Sequence, residues 1–455
     1  MLAISVVGTG YVGLSTAVCF ASRGYNVIAS TYDAEKIRLI NDKVPPFYEP
    51  MLTELLTSGI ESGNLKAIYG REEAILNTDV TFVTVGTPEL ADGSIDLTFV
   101  RKACVEIGHT LRKKDGYHLV AIKSTVTPGT TNGVVKPILE VASGKSAGRD
   151  FALCMTPEFL RQGSSIYDTF NPDRVIIGEH DETSGNALYG LFQEFYDSNV
   201  PIVRMNLASA EMVKYASNAF LATKISFANE LANVCEKLDD VDVNRVMAGV
   251  GLDGRINPKF LNAGAGFGGS CLPKDVKALV SVAKAVGCKT PLLSSVLDVN
   301  EAQPLHVADL AISTLGRVKG KKVALLGLSF KPDTDDIREA PSLKIARRLM
   351  DKGAVVYAFD PAVTHIERPN FEDLTCASSI AECLQGAYCC ILVTEWEQFK
   401  CLEPEDFIKN MSEPVLIDAR RVYDSEKFSR KLHFLAVGLP LDGKTRRSRD
   451  AYVRT

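Results

Sequence analysis

Long apolar runs are absent from this chain. No stretch is long enough to span a bilayer, and the opening Met1-Leu2-Ala3-Ile4-Ser5-Val6-Val7 carries no charged leader. A cytoplasmic protein without membrane attachment is therefore expected. A strong charge of either sign is also lacking. The 51 Lys and Arg stand against 56 Asp and Glu, a net −5, which gives no global pull toward nucleic acid or an anionic membrane. A locally basic pocket for a phosphate remains compatible with that balance. Paired cysteines are missing. The 11 cysteines are irregularly spaced, odd in number and without a CxxC. This argues against a disulfide framework and against zinc, and no metal site is expected. Cys389-Cys390 sits inside the apolar run 387–393 and reads as strand core, not as a redox pair.

What is present is ordinary in bulk and specific in detail. Hydrophobic residues make up 46% and charged residues 24%, as in a globular protein. At 455 residues the chain is too long for one core, so two or three domains are expected. Residues 2–7 form an apolar run, followed by Gly8-Thr9-Gly10-Tyr11-Val12-Gly13, a helical pattern to residue 22 and a second strand over 25–31. Strand, glycine turn, helix, strand is the opening of a doubly wound parallel sheet. Further strands are expected at 80–85, 119–123, 151–155 and 174–178. The loops Gly86-Thr87-Pro88 and Ser124-Thr125-Val126-Thr127-Pro128 fall at strand carboxyl ends, where such sheets bind ligands.

The texture changes at residue 206. Residues 207–237 contain neither Gly nor Pro and predict one long helix. More helix is expected to about 249, then over 274–286 and 293–315. A fresh α/β rhythm follows, with strands at 322–326 and 355–360 and a helix at 342–352, but without the three-glycine turn. The fold class is thus α/β: two Rossmann-like doubly wound domains joined by a helical central domain with one long helix. The expected divisions are 1–205 for dinucleotide binding, 206–305 for the helical part and 306–455 for a second nucleotide-type domain. The basic stretch 444–449 reads as a solvated end.

Five groups of residues carry chemistry. Gly8, Gly10 and Gly13 allow the bend, the close approach of a pyrophosphate and the packing of helix on strand. The acidic residue that usually ends the second strand and holds the ribose hydroxyl is replaced by Thr31, with Asp33 two residues on. Without that carboxylate a 2′-phosphate is not repelled; Ser30, Thr31, Lys36 and Arg38 are candidates to hold one. Both NAD and NADP stay open as cofactor. Lys214 and Asn218 are four apart on the long helix and share a face, where together they suit an oxyanion. On spacing alone a solvated face is the commoner outcome. Glu158, in a loop after a strand, is a candidate to activate water, with a surface helix cap as the plain alternative. Finally, Gly266-Phe267-Gly268-Gly269-Ser270-Cys271-Leu272-Pro273-Lys274-Asp275 sets a cysteine behind a glycine-rich turn. A helix starting near Pro273, together with Lys274, would lower the thiol pKa and make Cys271 a nucleophile.

The ordered set of motifs closely resembles the nucleotide-sugar 6-dehydrogenases, the UDP-glucose/GDP-mannose dehydrogenase family, over essentially the whole chain. Besides the segments above, the likeness rests on Val85-Gly86-Thr87-Pro88, Lys123-Ser124-Thr125-Val126, Pro157-Glu158-Phe159-Leu160 and Asn171-Pro172-Asp173-Arg174. It continues through 214–220, 330–339 and 418–422. The resemblance implies a two-step oxidation of a sugar C6 alcohol to the acid, through a Cys271 thiohemiacetal and thioester. It assigns Lys214 and Asn218 to the oxyanion, Asp275 to proton or water transfer beside the nucleophile, Glu158 to hydrolysis and Thr125 to the water. The cofactor is expected to meet Gly8, Gly10, Tyr11, Val12, Gly13, Thr31, Asp33, Lys36, Gly86, Thr87, Ser124, Thr125 and Lys274. The nucleotide-sugar is expected to meet Glu158, Phe159, Leu160, Lys214, Asn218, Arg255, Lys259, Phe260, Phe267, Gly268, Phe330, Lys331 and one of Arg420 or Arg421. The segment 254–261 looks more like the UDP-glucose type. GDP-mannose, UDP-N-acetylmannosamine and UDP-galactose are the alternative substrates, and an inactive nucleotide-sugar sensor is the alternative of a different class. Members of the family generally dimerise through the long helix, so a homodimer is expected.

Overall fold

The computed structural model describes residues 2–367 and 369–441. The basic stretch 444–449 lies outside them. The chain divides into two compact units, Met1–Ser217 and Asn218–Thr455.

The first unit is built on an eight-stranded sheet. Its strands are β1 (Ile4–Val7), β2 (Val27–Thr31), β3 (Leu65–Tyr69), β4 (Val80–Val83), β5 (Leu119–Ile122), β6 (Ala152–Met155), β7 (Val175–Glu179) and β8 (Ile202–Asn206). They lie in the order β3-β2-β1-β4-β5-β6-β7-β8. All pairs are parallel except β6 with β7. The central strands are buried on both faces, so they read as unbroken apolar runs and not as alternation. Successive residues feed opposite cores: Ile4, Val6 and Phe82 belong to one hydrophobic cluster, Val7, Val83 and Ile122 to the other. The strand order reverses between β1 and β4, which makes the loops after these strands the natural ligand crevice.

The second unit repeats the plan with six parallel strands. These are β9 (Lys322–Leu326), β10 (Val355–Phe359), β11 (Thr375–Cys376), β12 (Cys389–Leu392), β13 (Val415–Asp418) and β14 (His433–Ala436), in the order β11-β10-β9-β12-β13-β14. Cys389 points into one core and Cys390 into the other, as neighbours on a strand must. Burial pushes both thiols well above the ordinary cysteine pKa. They are packing residues.

The long helix is Leu207–Cys235, two residues shorter than its pattern suggested. Strand β2 begins at Val27 and not at 25, because the helix Tyr11–Ser22 is closed by a turn through Gly24 at φ +86°. The helix after the cysteine begins at Leu272, with Pro273 in its first turn. The next helix, Pro291–Leu315, starts on a proline, two residues before the expected point. In both, the missing proline N–H falls where a helix has no internal acceptor for it.

Phe82 is fully buried and stacks on Phe20 at 5.5 Å between ring centroids. Phe82→Ala is expected to destabilise the first unit by about 3–5 kcal/mol, seen as a lower denaturant midpoint. Leu252→Ala, at a position 87% exposed, should stay within about 0.5 kcal/mol of the parent.

Candidate active site

The glycine turn of the first unit has the shape that the sequence required. Gly8 adopts φ +109°, and a Cβ there would sit 3.0 Å from the Thr84 carbonyl oxygen. A Cβ at Gly13 would lie 2.0 Å from the Gly8 carbonyl oxygen, so helix and turn are as close as backbones permit. Gly10 has open space where its Cβ would be. It is also the N-cap of helix Tyr11–Ser22, and no side chain caps that end. Unsatisfied N–H groups beside open space suit an anionic phosphate. The buried hydroxyls of Thr9 and Ser30 have no hydrogen-bond partner among the described residues. The turn therefore fits a dinucleotide.

Neighbouring loops complete this edge. The Thr87 hydroxyl donates to the Thr125 carbonyl at 2.9 Å, and Ser124 donates to the Val85 carbonyl at 2.7 Å, which ties the β4 and β5 loops together. Gly86 faces open space. The Tyr11 hydroxyl donates to the Arg161 carbonyl at 2.5 Å, while Val12 accepts from Thr16 within its own helix. Asp33 accepts from the Lys36 N–H as the N-cap of helix Ala34–Asn41, and its carboxylate lies 3.6 Å from the Lys36 ammonium. Those contacts hold its pKa below the usual carboxylate range, the Lys36 N–H first among them.

Glu158 is no surface cap. It is 7% exposed, receives the Leu160 N–H at 2.6 Å and pairs with Lys214 at 3.1 Å. Lys214 is itself buried and lies 5.5 Å from the Phe159 ring centre; Arg174 stacks on the same ring. A solvated face for Lys214 is thereby excluded. Lys123, to which the sequence reading gave no role of its own, directly follows β5. Burial depresses its ammonium pKa to about 8; Glu158 opposes that shift and Lys214 adds to it. Buried Glu211, one helical turn before Lys214, receives the N–H groups of Gly129 and Thr131 and so fixes the loop that carries Thr125.

In the second unit Cys271 is exposed and stands at the N-cap of helix Leu272–Ala285, with no side-chain cap. The Ser270 hydroxyl is 3.7 Å from its sulfur. Asp275 is 1% exposed and donates its N–H to the Cys271 carbonyl at 2.9 Å. Its carboxylate receives Asn218 Nδ2 at 2.6 Å and Lys274 Nζ at 2.5 Å. Asn218 is thus buried and occupied, and Lys274 lies in the first turn of the helix that Cys271 caps. The positive end of a helix and a neighbouring ammonium favour a thiolate.

The loop before Cys271 is clamped by amides that the sequence reading missed. Asn300 accepts the Phe267 N–H at 2.7 Å and donates to its carbonyl at 3.0 Å. Asn229 accepts the Gly264 N–H, and Gln303 donates to the Gly264 carbonyl. No sequence motif marks them, since their partners are backbone groups more than 30 residues away. Gly268 packs on the Glu339 carbonyl, and Gly269, at φ +81°, lies against the Phe330 ring. Lys331 extends over that ring at 5.9 Å. Of the two arginines, Arg420 reaches this loop, with Nη1 3.5 Å from the Gly266 carbonyl. Arg421 is tied to Asp242 and the Val437 carbonyl and serves the fold. Arg255 is exposed and bound to Asp253 at 2.6 Å. Lys259 and Phe260 follow on the same surface segment, which Lys224 holds through the Ile256 and Asn257 carbonyls.

The second sheet lacks the three-glycine turn: after β9, buried Asp360 receives the N–H groups of Leu328 and Ser329, the Ser329 hydroxyl and Trp396 Nε1. Among the described residues no cluster of His, Cys, Asp and Glu could hold a metal, and no helix is long and apolar enough to cross a membrane.

Comparison with known proteins places these parts in one family. Models of the UDP-glucose/GDP-mannose dehydrogenase family match in three consecutive blocks: the NAD binding domain over residues 2–196, the central domain over 208–302 and the UDP binding domain over 324–425. The chain belongs to this family. It is similar to the UDP-glucose 6-dehydrogenase AglM of Haloferax volcanii, 41% identical over 92% of this chain and 96% of that one. A GDP-mannose 6-dehydrogenase of Pseudomonas savastanoi pv. phaseolicola is 42% identical over 80% of this chain and 81% of that one. The structure of a UDP-glucose dehydrogenase from Pyrobaculum islandicum superposes with a TM-score of 0.88 at 38% identity, covering 96% and 98%. Family membership makes the chain a dehydrogenase with a nicotinamide dinucleotide cofactor and a nucleotide-sugar substrate.

The depressed Lys123 pKa has a measurable sign. Between about pH 8 and 10.5 the unfolded chain holds a proton on this lysine that the folded chain has lost, so Lys123 makes stability rise with pH across that window. Below pH 8 its full destabilising effect is present. Lys123→Met should flatten this part of the stability curve in thermal unfolding at pH 8 and pH 10, and an unchanged slope would contradict the burial assigned to it.

Proposed function

We propose that the chain oxidises UDP-glucose to UDP-glucuronate in two steps. The observation that carries this reading is Cys271, exposed at an uncapped helix N-terminus and backed by buried Asn218 and Asp275 with Lys274 beside them. A simple alcohol dehydrogenase has no use for such a thiol. The UDP-glucose preference is supported by the longer alignment with the Haloferax enzyme, 92% of this chain against 80% for the GDP-mannose relative, and by the character of segment 254–261.

In the first oxidation the sugar C6 alcohol gives up a hydride and a proton, leaving an aldehyde. The bound dinucleotide supplies hydride acceptance, once in each oxidation. Lys214, paired with Glu158, stabilises negative charge on the C6 oxygen, and Asn218 offers an amide for the same purpose. Cys271 Sγ then forms a bond to C6 and the carbonyl oxygen takes a proton, giving a thiohemiacetal. Loss of the second hydride and of that proton leaves a thioester. Water adds to C6, the C–S bond breaks, and Cys271 departs as a thiolate. Glu158 and Asp275 are the carboxylates for that hydrolysis, and Thr125 holds the water. Residues 1–205 serve the cofactor, 206–305 the assembly and 306–455 the nucleotide-sugar.

The assembly is a homodimer through the long helix. Phe220, Phe227 and Val234 lie seven residues apart and are 64%, 48% and 49% exposed, a heptad stripe that a helix presents to a partner helix. Phe220→Asp with Phe227→Asp should convert the dimer to monomer in light scattering; an unchanged mass would move the interface elsewhere.

The reaction itself is tested by counting. With UDP-glucose, two molecules of reduced cofactor should appear per sugar consumed, and Cys271→Ser should abolish full turnover while UDP-glucose binding persists. One reduced cofactor per sugar would sink the thioester route. No reduction with either cofactor would send the assignment to GDP-mannose or another UDP-sugar.

A further inference from the structure

The second strand of the sheet ends without its usual carboxylate, and the structure shows what stands there instead. Thr31 pairs in register with Tyr69 of β3, and the Gly70 N–H donates to the Thr31 carbonyl at 3.1 Å. The next residue, Arg71, is therefore delivered to the carboxyl end of β2. Its guanidinium lies 5.0 Å over the Tyr32 ring, and Nη1 donates to Glu106 Oε2 at 2.6 Å. The Tyr32 hydroxyl donates to the same Glu106 oxygen, also at 2.6 Å. Tyr32 is further braced by an edge contact with Tyr69 at 5.2 Å. The Arg71 side chain is only 11% exposed, so it is a built feature and not a surface arm. At the end of β2 the Ser30 hydroxyl is buried without a hydrogen-bond partner among the described residues, and Thr31 carries a second hydroxyl. The charged groups are Arg71 and Lys36 against Glu106 and Asp33, a neutral set.

We propose that Arg71, held by Glu106 over Tyr32, reads the 2′ position of the adenosine ribose and admits a 2′-phosphate as well as a free hydroxyl. An acid at position 31 would repel a phosphate; two hydroxyls and a guanidinium receive one. Glu106 keeps Arg71 neutralised when the ribose carries only a hydroxyl, and gives it up when a phosphate arrives. Net neutrality means that neither form is strongly preferred, so the chain uses NAD and NADP with comparable affinity. This assignment rests on reading the glycine turn as a dinucleotide site.

The test uses binding of adenosine fragments to the full chain, which needs no turnover. Adenosine 5′-monophosphate and adenosine 2′,5′-bisphosphate are titrated calorimetrically against the parent, Arg71→Met and Glu106→Gln. The parent should bind both within about tenfold of each other. Arg71→Met should lose about tenfold for the bisphosphate alone, the worth of one charge-assisted contact, and Glu106→Gln should gain a similar factor for it alone. Exclusion of the bisphosphate by the parent, or equal loss of both fragments in Arg71→Met with no gain in Glu106→Gln, would overturn the role of Arg71. Failure of either fragment to bind any of the three proteins would overturn the dinucleotide reading itself, and the assignment with it.

Discussion

Buried carboxylates that accept backbone N–H groups hold the functional loops of this protein in place. Glu211 fastens the loop after β5, Glu49 the segment at 163–165, Asp360 the loops after β9 and β10, and Asp418 the turn at 420–423. Each loop would otherwise bury N–H groups without acceptors, a cost of about 1–3 kcal/mol apiece. Burial works against these carboxylates, raising the Glu211 and Asp418 pKa values, and the donated N–H groups work the other way. The exception is the turn at Gly8–Gly13. No side chain caps the helix that follows it, and there the anion is left to the ligand.

The same logic organises the surroundings of Cys271. Asp275 is locked by Asn218 and Lys274, and its N–H closes the first turn of the helix on the Cys271 carbonyl. The amides Asn229, Asn300 and Gln303 then hold the preceding loop at Gly264 and Phe267, so the cysteine is positioned from both sides in sequence. Most other thiols of the chain sit in cores where burial keeps them protonated, as at Cys154, Cys383 and Cys389.

Much of this was legible in the sequence, and the limits are physical. Central strands and the glycine turn announce themselves because their requirements are local: unbroken apolar runs, and residues without a Cβ. Edge strands such as β3 and β8 bury one side only, and their short mixed patterns passed unnoticed. Spacing put Lys214 and Asn218 on one helical face, but periodicity does not say whether that face meets water or protein. Neighbours in sequence, Arg420 and Arg421 diverge in role because adjacent side chains leave the backbone in different directions. Arg71 and Glu106 are 35 residues apart, and only the pairing of β2 with β3 brings the arginine to the strand end that had lost its acid.

The two sheets share a strand order, yet the loops after their first strands differ. The first loop is the glycine turn, with open space at Gly10; in the second, Asp360 accepts the N–H groups of Leu328 and Ser329. An acceptor built into the chain never dissociates into bulk solvent and carries no translational cost of binding. The loop after β9 is thus fixed by the chain itself, whatever ligand is present.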